Sequence, residues 1–233
     1  MKNLAIGFSS IRPVQISEEI CDAREEEYLK CLKQLKRVLP KSFDFLLCEN
    51  TIDDPDQIKN DELKFFLAET EMCAMGSESN IGTSNKGLGE LLQLKTALDQ
   101  VKVDDYENIS YVTTRGIYTN PYVFEKTENL EVQALLSNPD FVFLNGTYEE
   151  SYKGELFNDM FFSMKSKLML EYANYSMDKL DYLSINHIGS EYNLYNFVKE
   201  NNVSYETVEW LGRIRNDWSR SNSAYNIDNF HFC

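Results

Sequence analysis

The first fifty residues alternate between short apolar runs and one long amphipathic stretch, which restricts the chain to a small set of folds. Residues 4–8 and 43–48 are apolar runs that end in polar residues. Between them, apolar side chains fall on helical spacing over residues 17–39, with Ser17 as the predicted N-cap and Pro40 after the end. Strand, helix, strand is the pattern of a parallel sheet, whose ligands bind where the strands end.

The rest of the chain continues this alternation, and it contains no repeat, linker or low-complexity segment. The predicted elements are a third apolar run at 63–68, a helix after residue 90, a strand at 109–113, a short helix at 130–136, a strand at 141–144 with a turn at 145–146, and a helix from residue 190. We therefore predict a single α/β domain over residues 1–233, with a mixed, mainly parallel sheet flanked by helices.

Residues 80–90 form a small-residue segment, Asn-Ile-Gly-Thr-Ser-Asn-Lys-Gly-Leu-Gly-Glu, which we interpret as a loop that runs into a helix. Gly82, Gly87 and Gly89 would let the backbone approach a ligand and adopt positive φ, and the N–H groups of the first helical turn favour an anion. Lys86 adds a positive charge. The segment matches neither a P-loop nor a dinucleotide-binding glycine pattern. A solvent-exposed loop before a capped helix is the alternative.

Composition excludes several partner classes. The 23 basic and 38 acidic residues give a net charge of −15, which would repel nucleic-acid phosphates and anionic lipids. No apolar run approaches the roughly 18 residues that a membrane span needs. The five cysteines include no Cys-x-x-Cys pair, so neither a zinc site nor a disulfide framework is indicated. We expect no nucleic-acid partner, no integral membrane segment and a cytoplasmic location.

Three further stretches stand out besides the 80–90 loop: Thr114-Arg115-Gly116 after a predicted strand, Asn-Asp-Met-Phe-Phe at 158–162, and Ile-Gly-Ser-Glu at 188–191 before a helix. Together these four motifs resemble the small GT-A-type glycosyltransferases that build bacterial surface polysaccharides and the glycans of some large viruses. The resemblance implies a GT-A-like fold and sugar transfer from a UDP- or GDP-linked donor to a glycan or other hydroxyl acceptor. It also implies a nucleotide-sugar-binding half at 1–116 and an acceptor-binding half at 117–233.

The resemblance also implies which residues contact the donor. In this family the first strand and its loop hold the base and the diphosphate, which corresponds to Ser9, Ser10 and Arg12. The acid after the second strand contacts base or ribose, which corresponds to Glu49. The loop motif adds Asn80, Asn85, Lys86 and Gly87 as donor-binding candidates.

The metal-binding Asp-x-Asp motif of the family is missing, because the corresponding strand exit reads Thr-Thr-Arg-Gly at 113–116. The charge on a departing nucleoside diphosphate must then be stabilised either by a metal bound elsewhere or by fixed cations. Cations at predicted loops and in the tail are Lys86, Arg115, Arg213, Arg215 and Arg220; an arginine fork fits a phosphate, although a solvated or ion-paired tail is the alternative. Mn²⁺ or Mg²⁺ is a candidate cofactor with unknown ligands; Asp104-Asp105 and the acidic turn at 53–56 are the places where a site would be sought.

Proton removal from an acceptor hydroxyl needs a base, and Asp159 and Glu191 are the catalytic candidates. Asp159 precedes apolar residues that could desolvate it, whereas a helix N-terminal acid is its alternative role. Glu191 stands at a predicted helix start, where capping is the alternative. Two other functions remain open: a sugar-nucleotide nucleotidyltransferase, and a non-enzymatic carbohydrate-binding module that uses the 13% aromatic content for stacking.

Overall fold

A computed structural model of the chain describes residues 2–13, 16–52, 54–74, 86–137, 143–144, 147–148, 157–186, 188–208, 211 and 213–215. The first part contains β1 (Lys2–Ser9), α1 (Glu18–Val38), β2 (Phe43–Glu49), α2 (Asp61–Ala68), β3 (Met72–Ala74), α3 (Lys86–Gln100), β4 (Tyr106–Thr113), β5 (Gly116–Tyr118) and α4 (Tyr122–Glu128). It is followed by β6 (Ala134–Ser137), β7 (Phe143–Leu144), β8 (Thr147–Tyr148), β9 (Asn158–Lys165), α5 (Ser166–Asp178), α6 (Leu180–Ile185), α7 (Ser190–Glu200), β10 (Tyr205–Val208) and β11 (Arg213–Arg215).

Seven of the described strands form one sheet in the order β10-β6-β9-β4-β1-β2-β3. All neighbours are parallel except β9, which runs antiparallel to both β4 and β6. Two small antiparallel pairs, β5 with β11 and β7 with β8, complete the described strands. The predicted single α/β domain with a mixed, mainly parallel sheet is therefore confirmed.

The strand directions determine which strand ends lie at each edge of this sheet. The carboxyl ends of β1, β2, β3, β4, β6 and β10 share one edge, and the reversed strand β9 begins at that same edge. Parallel α/β sheets bind ligands at this edge, which we call the carboxyl edge.

Helices cover both faces of the sheet, because successive strand residues point to opposite sides and both sides are apolar. On one face α3, α5, α6 and α7 pack on Leu4, Ile6, Leu46 and Ile109. On the other face α1, α2 and α4 pack in two smaller clusters around Ala5, Leu47, Val112 and Leu135.

An aromatic ladder crosses three strands on the α3 face. The rings of Phe8 and Tyr111 stack with centroids 4.2 Å apart, and Tyr111 stacks on Phe162 at 4.7 Å. This stacking joins β1, β4 and β9 near the carboxyl edge and so helps to hold the reversed strand in register.

Five elements lie where the sequence predicts them. β1, α1, β2, β4 and α7 are confirmed, and Ser17 caps α1 by accepting a hydrogen bond from the Ile20 backbone N–H. The third apolar run lies in helix α2, because Leu63 and Leu67 face α1 one turn apart. β2 pairs with β1 on one side, and the strand on its other side is the three-residue β3, which follows α2.

Three other predictions are wrong. No helix lies at 130–136: the helix of this region is α4, which ends at residue 128, and strand β6 occupies residues 134–137. Leu135 and Leu136 are buried on opposite faces of the sheet, so the strand lacks the alternation of apolar and polar residues that would have indicated it. Gly87 and Gly89 belong to helix α3 rather than to the preceding loop. Asp159 lies in strand β9, so its alternative role as a helix N-terminal acid does not apply.

Among the described residues, no helix combines the length and the apolar character needed to cross a membrane.

Candidate active site

Most candidate residues that fall within the described ranges come together at the carboxyl edge, although they are far apart in sequence. The edge receives Ser9 from the end of β1, Glu49 from the end of β2, Arg115 from the turn after β4, Asp159 from the start of β9, and the first turns of α3 and α7 with Lys86 and Glu191. The backbone positions of Lys86 and Asp159 are described, but their side chains lie outside the described part of the structure.

Glu49 is fully buried at the end of β2, where its carboxylate accepts hydrogen bonds from its neighbours. The Ser9 hydroxyl donates at 2.5 Å, the Thr51 backbone N–H at 2.7 Å and the Ile11 backbone N–H at 3.3 Å, and the Thr51 hydroxyl donates as well. Burial raises the pKa of the Glu49 carboxyl, although the hydrogen bonds from Ser9 and Thr51 oppose the shift. The carboxylate therefore fastens the loop after β1 to the end of β2.

The backbone amides of the loop after β1 are used within the protein. Three consecutive N–H groups donate to neighbouring side chains: Ser10 to the Tyr28 hydroxyl at 3.1 Å, Ile11 to Glu49, and Arg12 to the Thr51 hydroxyl at 2.8 Å. The Ser10 hydroxyl donates to Asn50 at 2.6 Å. A loop that cradles phosphates presents such N–H groups to its ligand, whereas this loop directs them inward.

The side chain of Arg12 is only 8% exposed, and its guanidinium is surrounded by acids of α1. It donates to Glu18, Asp22 and Glu25, and Lys59 bridges Glu18 at 2.9 Å and Asp22 at 3.1 Å. The hydrogen bond from Lys59 and the charge of Arg12 lower the pKa of Glu18, and hydrogen bonds from Arg12 and Lys59 lower that of Asp22. Ser9, Ser10, Arg12 and Glu49 thus have internal partners, and their contact with a donor stays a prediction.

The exit of β4 is tied to both neighbouring strands. The Thr113 hydroxyl donates to the carbonyl of Met160 in β9 at 3.1 Å. The Thr114 hydroxyl and N–H both donate to the carbonyl of Phe8 in β1, at 2.6 and 3.2 Å. Because Met160 directly follows Asp159, the hydrogen bond from Thr113 also holds the start of β9 beside the exit of β4.

Arg115 follows these threonines and points toward α1. Its Nη2 donates to Oε2 of Glu27 at 3.2 Å, and the two side chains are 19% and 5% exposed. Arg115 is thus held by a nearly buried carboxylate and still reaches solvent.

The tail arginines return to the same place. β11 pairs antiparallel with β5, which sets Arg213 opposite Tyr118 and Arg215 opposite Gly116, the residue after Arg115. Their side chains lie outside the described part of the structure. The pairing brings a second arginine-bearing segment to the β4 exit, which sequence spacing alone could not indicate.

The N-termini of α3 and α7 meet at Gly87. A Cβ placed on Gly87 would lie 2.7 Å from the backbone nitrogen of Ser190, the first residue of α7. The Glu191 carboxylate folds back toward Gly189, since its Oε2 would lie 2.7 Å from a Cβ on that glycine. Helix N-termini favour negative charge, so this corner adds a favourable field for an anion at the carboxyl edge.

The described residues at the β4 exit do not fit a divalent metal. Within the described ranges, no group of three His, Cys, Asp or Glu side chains is arranged to hold an ion, and the residue that follows the two threonines at this exit is Arg115. Asp104 and Asp105 precede β4 and therefore lie at the opposite edge of the sheet. They are too far from the carboxyl edge to bind a metal under a diphosphate there. Asp56 pairs with Lys64 instead.

Several candidates lie outside the described residues: Asn80 and Asn85 with the rest of residues 80–85, Asp53, and Arg220. Sequence reasoning missed Glu27, Tyr28 and Thr51. Glu27 is one of three successive glutamates in α1, so no local signal separates it from its exposed neighbour Glu26.

No family model matches the chain, and no curated protein matches it. Solved structures match over most of its length. The 4-diphosphocytidyl-2C-methyl-D-erythritol synthase of Anaerococcus prevotii is 14% identical with a TM-score of 0.56, and the match covers 92% of this chain and 91% of that one. A Desulfovibrio desulfuricans protein described as a nucleotide-diphospho-sugar transferase is 13% identical with a TM-score of 0.56, over 98% and 91%.

The fold is nucleotide-diphospho-sugar transferase-like. A Bacillus anthracis protein described as a glucose-1-phosphate thymidylyltransferase also matches, with 10% identity and a TM-score of 0.51 over 90% of this chain and 87% of that one. At such identities, the likeness concerns the fold. The strand topology and these matches therefore both support a nucleotide-diphospho-sugar transferase-like fold.

Proposed function

We propose that this chain is a glycosyltransferase that moves a sugar from a nucleotide-diphosphate donor to a hydroxyl of a glycan acceptor. The observation that carries the proposal is the β4 exit, where Arg115 stands at the carboxyl edge beside the start of β9 with Asp159. The fold supports it, since the three structures described above are named for nucleotidyl or nucleotide-diphospho-sugar chemistry.

The proposed chemistry needs a cation and a base. The acceptor oxygen bonds to the anomeric carbon while the bond from that carbon to the diphosphate breaks, and the electron pair leaves with the nucleoside diphosphate. Arg115, with Lys86, Arg213 and Arg215 as further candidates, would stabilise the developing charge. Asp159 would take the hydroxyl proton, with Glu191 as the second candidate. The residues described at the β4 exit offer this leaving group a guanidinium rather than a metal.

The remaining parts of the proposal concern the donor, the acceptor and the setting. We propose a UDP- or GDP-linked donor on the 1–116 half, an acceptor on the 117–233 half, and a role in polysaccharide synthesis. A cytoplasmic location is proposed because Cys21, Cys31 and Cys48 are buried free thiols.

A nucleotidyltransferase is the second candidate, because two of the structures described above are named for such chemistry. That reaction joins a nucleoside triphosphate to a sugar phosphate and releases pyrophosphate. The loop after β1 argues against it, because its amides at residues 10–12 donate to protein side chains rather than facing a triphosphate.

Product analysis separates these candidates. The full-length protein would be titrated calorimetrically with UDP, GDP, CDP and TDP, and then incubated with the sugar nucleotide of the tightest binder and mixed glycan acceptors. A glycosyltransferase releases the nucleoside diphosphate in an acceptor-dependent way. Pyrophosphate release from a nucleoside triphosphate and a sugar 1-phosphate would instead establish the second candidate. Sugar binding with no turnover would leave a binding module.

Variants connect the binding to the β4 exit. Arg115→Lys keeps a positive charge beside Glu27 but loses the planar fork, so we expect about tenfold weaker diphosphate binding. Lys165→Ala is the control, since Lys165 pairs with Glu107 at the opposite edge. Equal affinities for Arg115→Lys and wild type would remove Arg115 from the site.

A further inference from the structure

We propose that Glu27 is a positioning residue that holds the Arg115 guanidinium in place for the diphosphate of the donor. This proposal rests on the proposed function and adds to it a residue that contacts no substrate itself. It starts from the 3.2 Å bond between Arg115 Nη2 and Glu27 Oε2, which joins residues 88 positions apart.

The location of Glu27 is unusual for an acid. It lies in the middle of α1 with 5% of its side chain exposed, whereas Glu26 beside it faces solvent. Burying a carboxylate costs free energy unless a cation and hydrogen bonds compensate. Arg115 at the β4 exit supplies a cation that offsets this cost.

Other buried charges of α1 also reach the carboxyl edge. Arg24 donates to the carbonyls of Ser10 and Ile11 in the loop after β1, and Glu25 accepts from Arg12. Glu27 lies about one turn after Arg24 on the same side of the helix and contacts the β4 exit. α1 thus acts as one rigid element that fixes two successive polar segments of the edge.

Arg115 is fixed at both ends by this arrangement. Its backbone follows Thr114, which is bound to the Phe8 carbonyl, and its guanidinium is bound to Glu27. An arginine side chain loses much rotamer freedom when it binds a ligand, and prior fixation lowers that entropic cost. With 19% of its side chain exposed, Arg115 remains within reach of a ligand at the edge.

A double-mutant cycle tests the proposal. Calorimetric titration with UDP, GDP and uridine would be carried out on wild type, Glu27→Gln, Arg115→Gln and the double variant, in which the two amides can bond to each other. We expect about tenfold weaker binding of the tighter diphosphate by Glu27→Gln alone, a coupling typical of residues in contact. In the Arg115→Gln background, Glu27→Gln should change the affinity less than twofold. Uridine, which has no diphosphate, should bind equally to wild type and Glu27→Gln.

A general loss of stability is controlled by a substitution at the other edge. Thr127→Val removes buried hydrogen bonds to Ser163 and to the Val123 carbonyl, beside Asn108 near the start of β4. It should lower the melting temperature and leave diphosphate affinity at the wild-type value. Where Glu27→Gln fails to fold, Glu27→Asp, which keeps the charge but withdraws it by one methylene, should show a smaller loss of the same kind.

The outcomes are distinct. Equal weakening in both backgrounds, or equal weakening for uridine and the diphosphate, would reduce Glu27 to a structural residue. Unchanged diphosphate affinity in Glu27→Gln would also overturn the proposal while leaving the proposed function standing. Failure of wild type to bind any nucleoside diphosphate would overturn the proposed function and this inference with it.

Discussion

The contact between the N-termini of α3 and α7 predicts opposite effects for two alanine substitutions two residues apart in one helix. A Cβ on Gly87 would lie 2.7 Å from the Ser190 nitrogen, 2.9 Å from its hydroxyl oxygen and 3.2 Å from its Cβ. A Cβ on Gly89 would meet no atom of the described residues within 4 Å, apart from its own helix backbone and chain neighbours. Both glycines are helical, so each replacement gains helix propensity, but only the first one forces two helices apart.

The magnitudes follow from these distances. Replacing glycine by alanine inside a helix stabilises by up to about 1 kcal/mol, and less in the first turn where Gly87 lies. Overpacking against a backbone atom costs about 1–3 kcal/mol. Gly87→Ala should therefore destabilise by about 1–2 kcal/mol, and Gly89→Ala should stabilise by about 0.5–1 kcal/mol.

Thermal unfolding measures the difference directly. For a chain of this size each kcal/mol shifts Tm by about 2–4 °C, so Gly87→Ala should melt roughly 2–8 °C below wild type and Gly89→Ala slightly above it. Gly87→Ala should also weaken nucleoside diphosphate binding, because the displaced helix start carries Lys86. If Gly87→Ala melts as high as Gly89→Ala, the close approach of α3 and α7 does not constrain this corner and the reasoning fails.

Three further outcomes are expected. Asp159→Asn should reduce sugar transfer by about 100-fold with donor affinity unchanged; full activity in an acceptor assay would move the role of base to Glu191. Donor binding, measured by calorimetry, should survive EDTA because the β4 exit carries an arginine in place of carboxylates, and complete loss of binding would reveal a metal site. Glu18 and Asp22 have pKa values lowered below 4.5 and 3.8 by Lys59 and Arg12, so their stabilisation is present above those values and is lost as pH falls through the lowered pKa values. Lys59→Met should therefore lose less Tm than wild type on acidification, and equal losses would contradict the assigned ion pairs.

The reversed strand β9 illustrates where local sequence patterns stop being informative. Residues 158–165 mix polar residues with apolar and aromatic ones in no clear period, and the next residues begin α5. The direction of the strand is set by pairing with β4 and β6, which precede it by about 50 and 25 residues. Because β9 runs antiparallel to β4 and β6, its first residues, which include Asp159, lie at the carboxyl edge. In a parallel strand they would lie at the opposite edge.

The charged candidates show the same limit. The sequence indicates that Arg12, Glu49 and Arg115 follow strand ends, and the structure places all three at the carboxyl edge. Burial and pairing depend on α1, which supplies the partners of Arg12 and Arg115 from different sides of the helix. No spacing rule links residue 27 to residue 115. Only the packed molecule therefore shows that Arg12 is enclosed while Arg115 still reaches solvent.

The sequence by itself determined the elements that local physics specifies. Hydrophobic period, the Ser17 cap and Pro40 define β1, α1 and β2, and polar residues after apolar runs mark the carboxyl edge. Only the tertiary structure decided that β11 returns to β5, that Gly87 abuts Ser190, and that Glu27 holds Arg115. These contacts join residues that are about 90 to 100 positions apart, where packing and desolvation, rather than local propensity, determine the free energy.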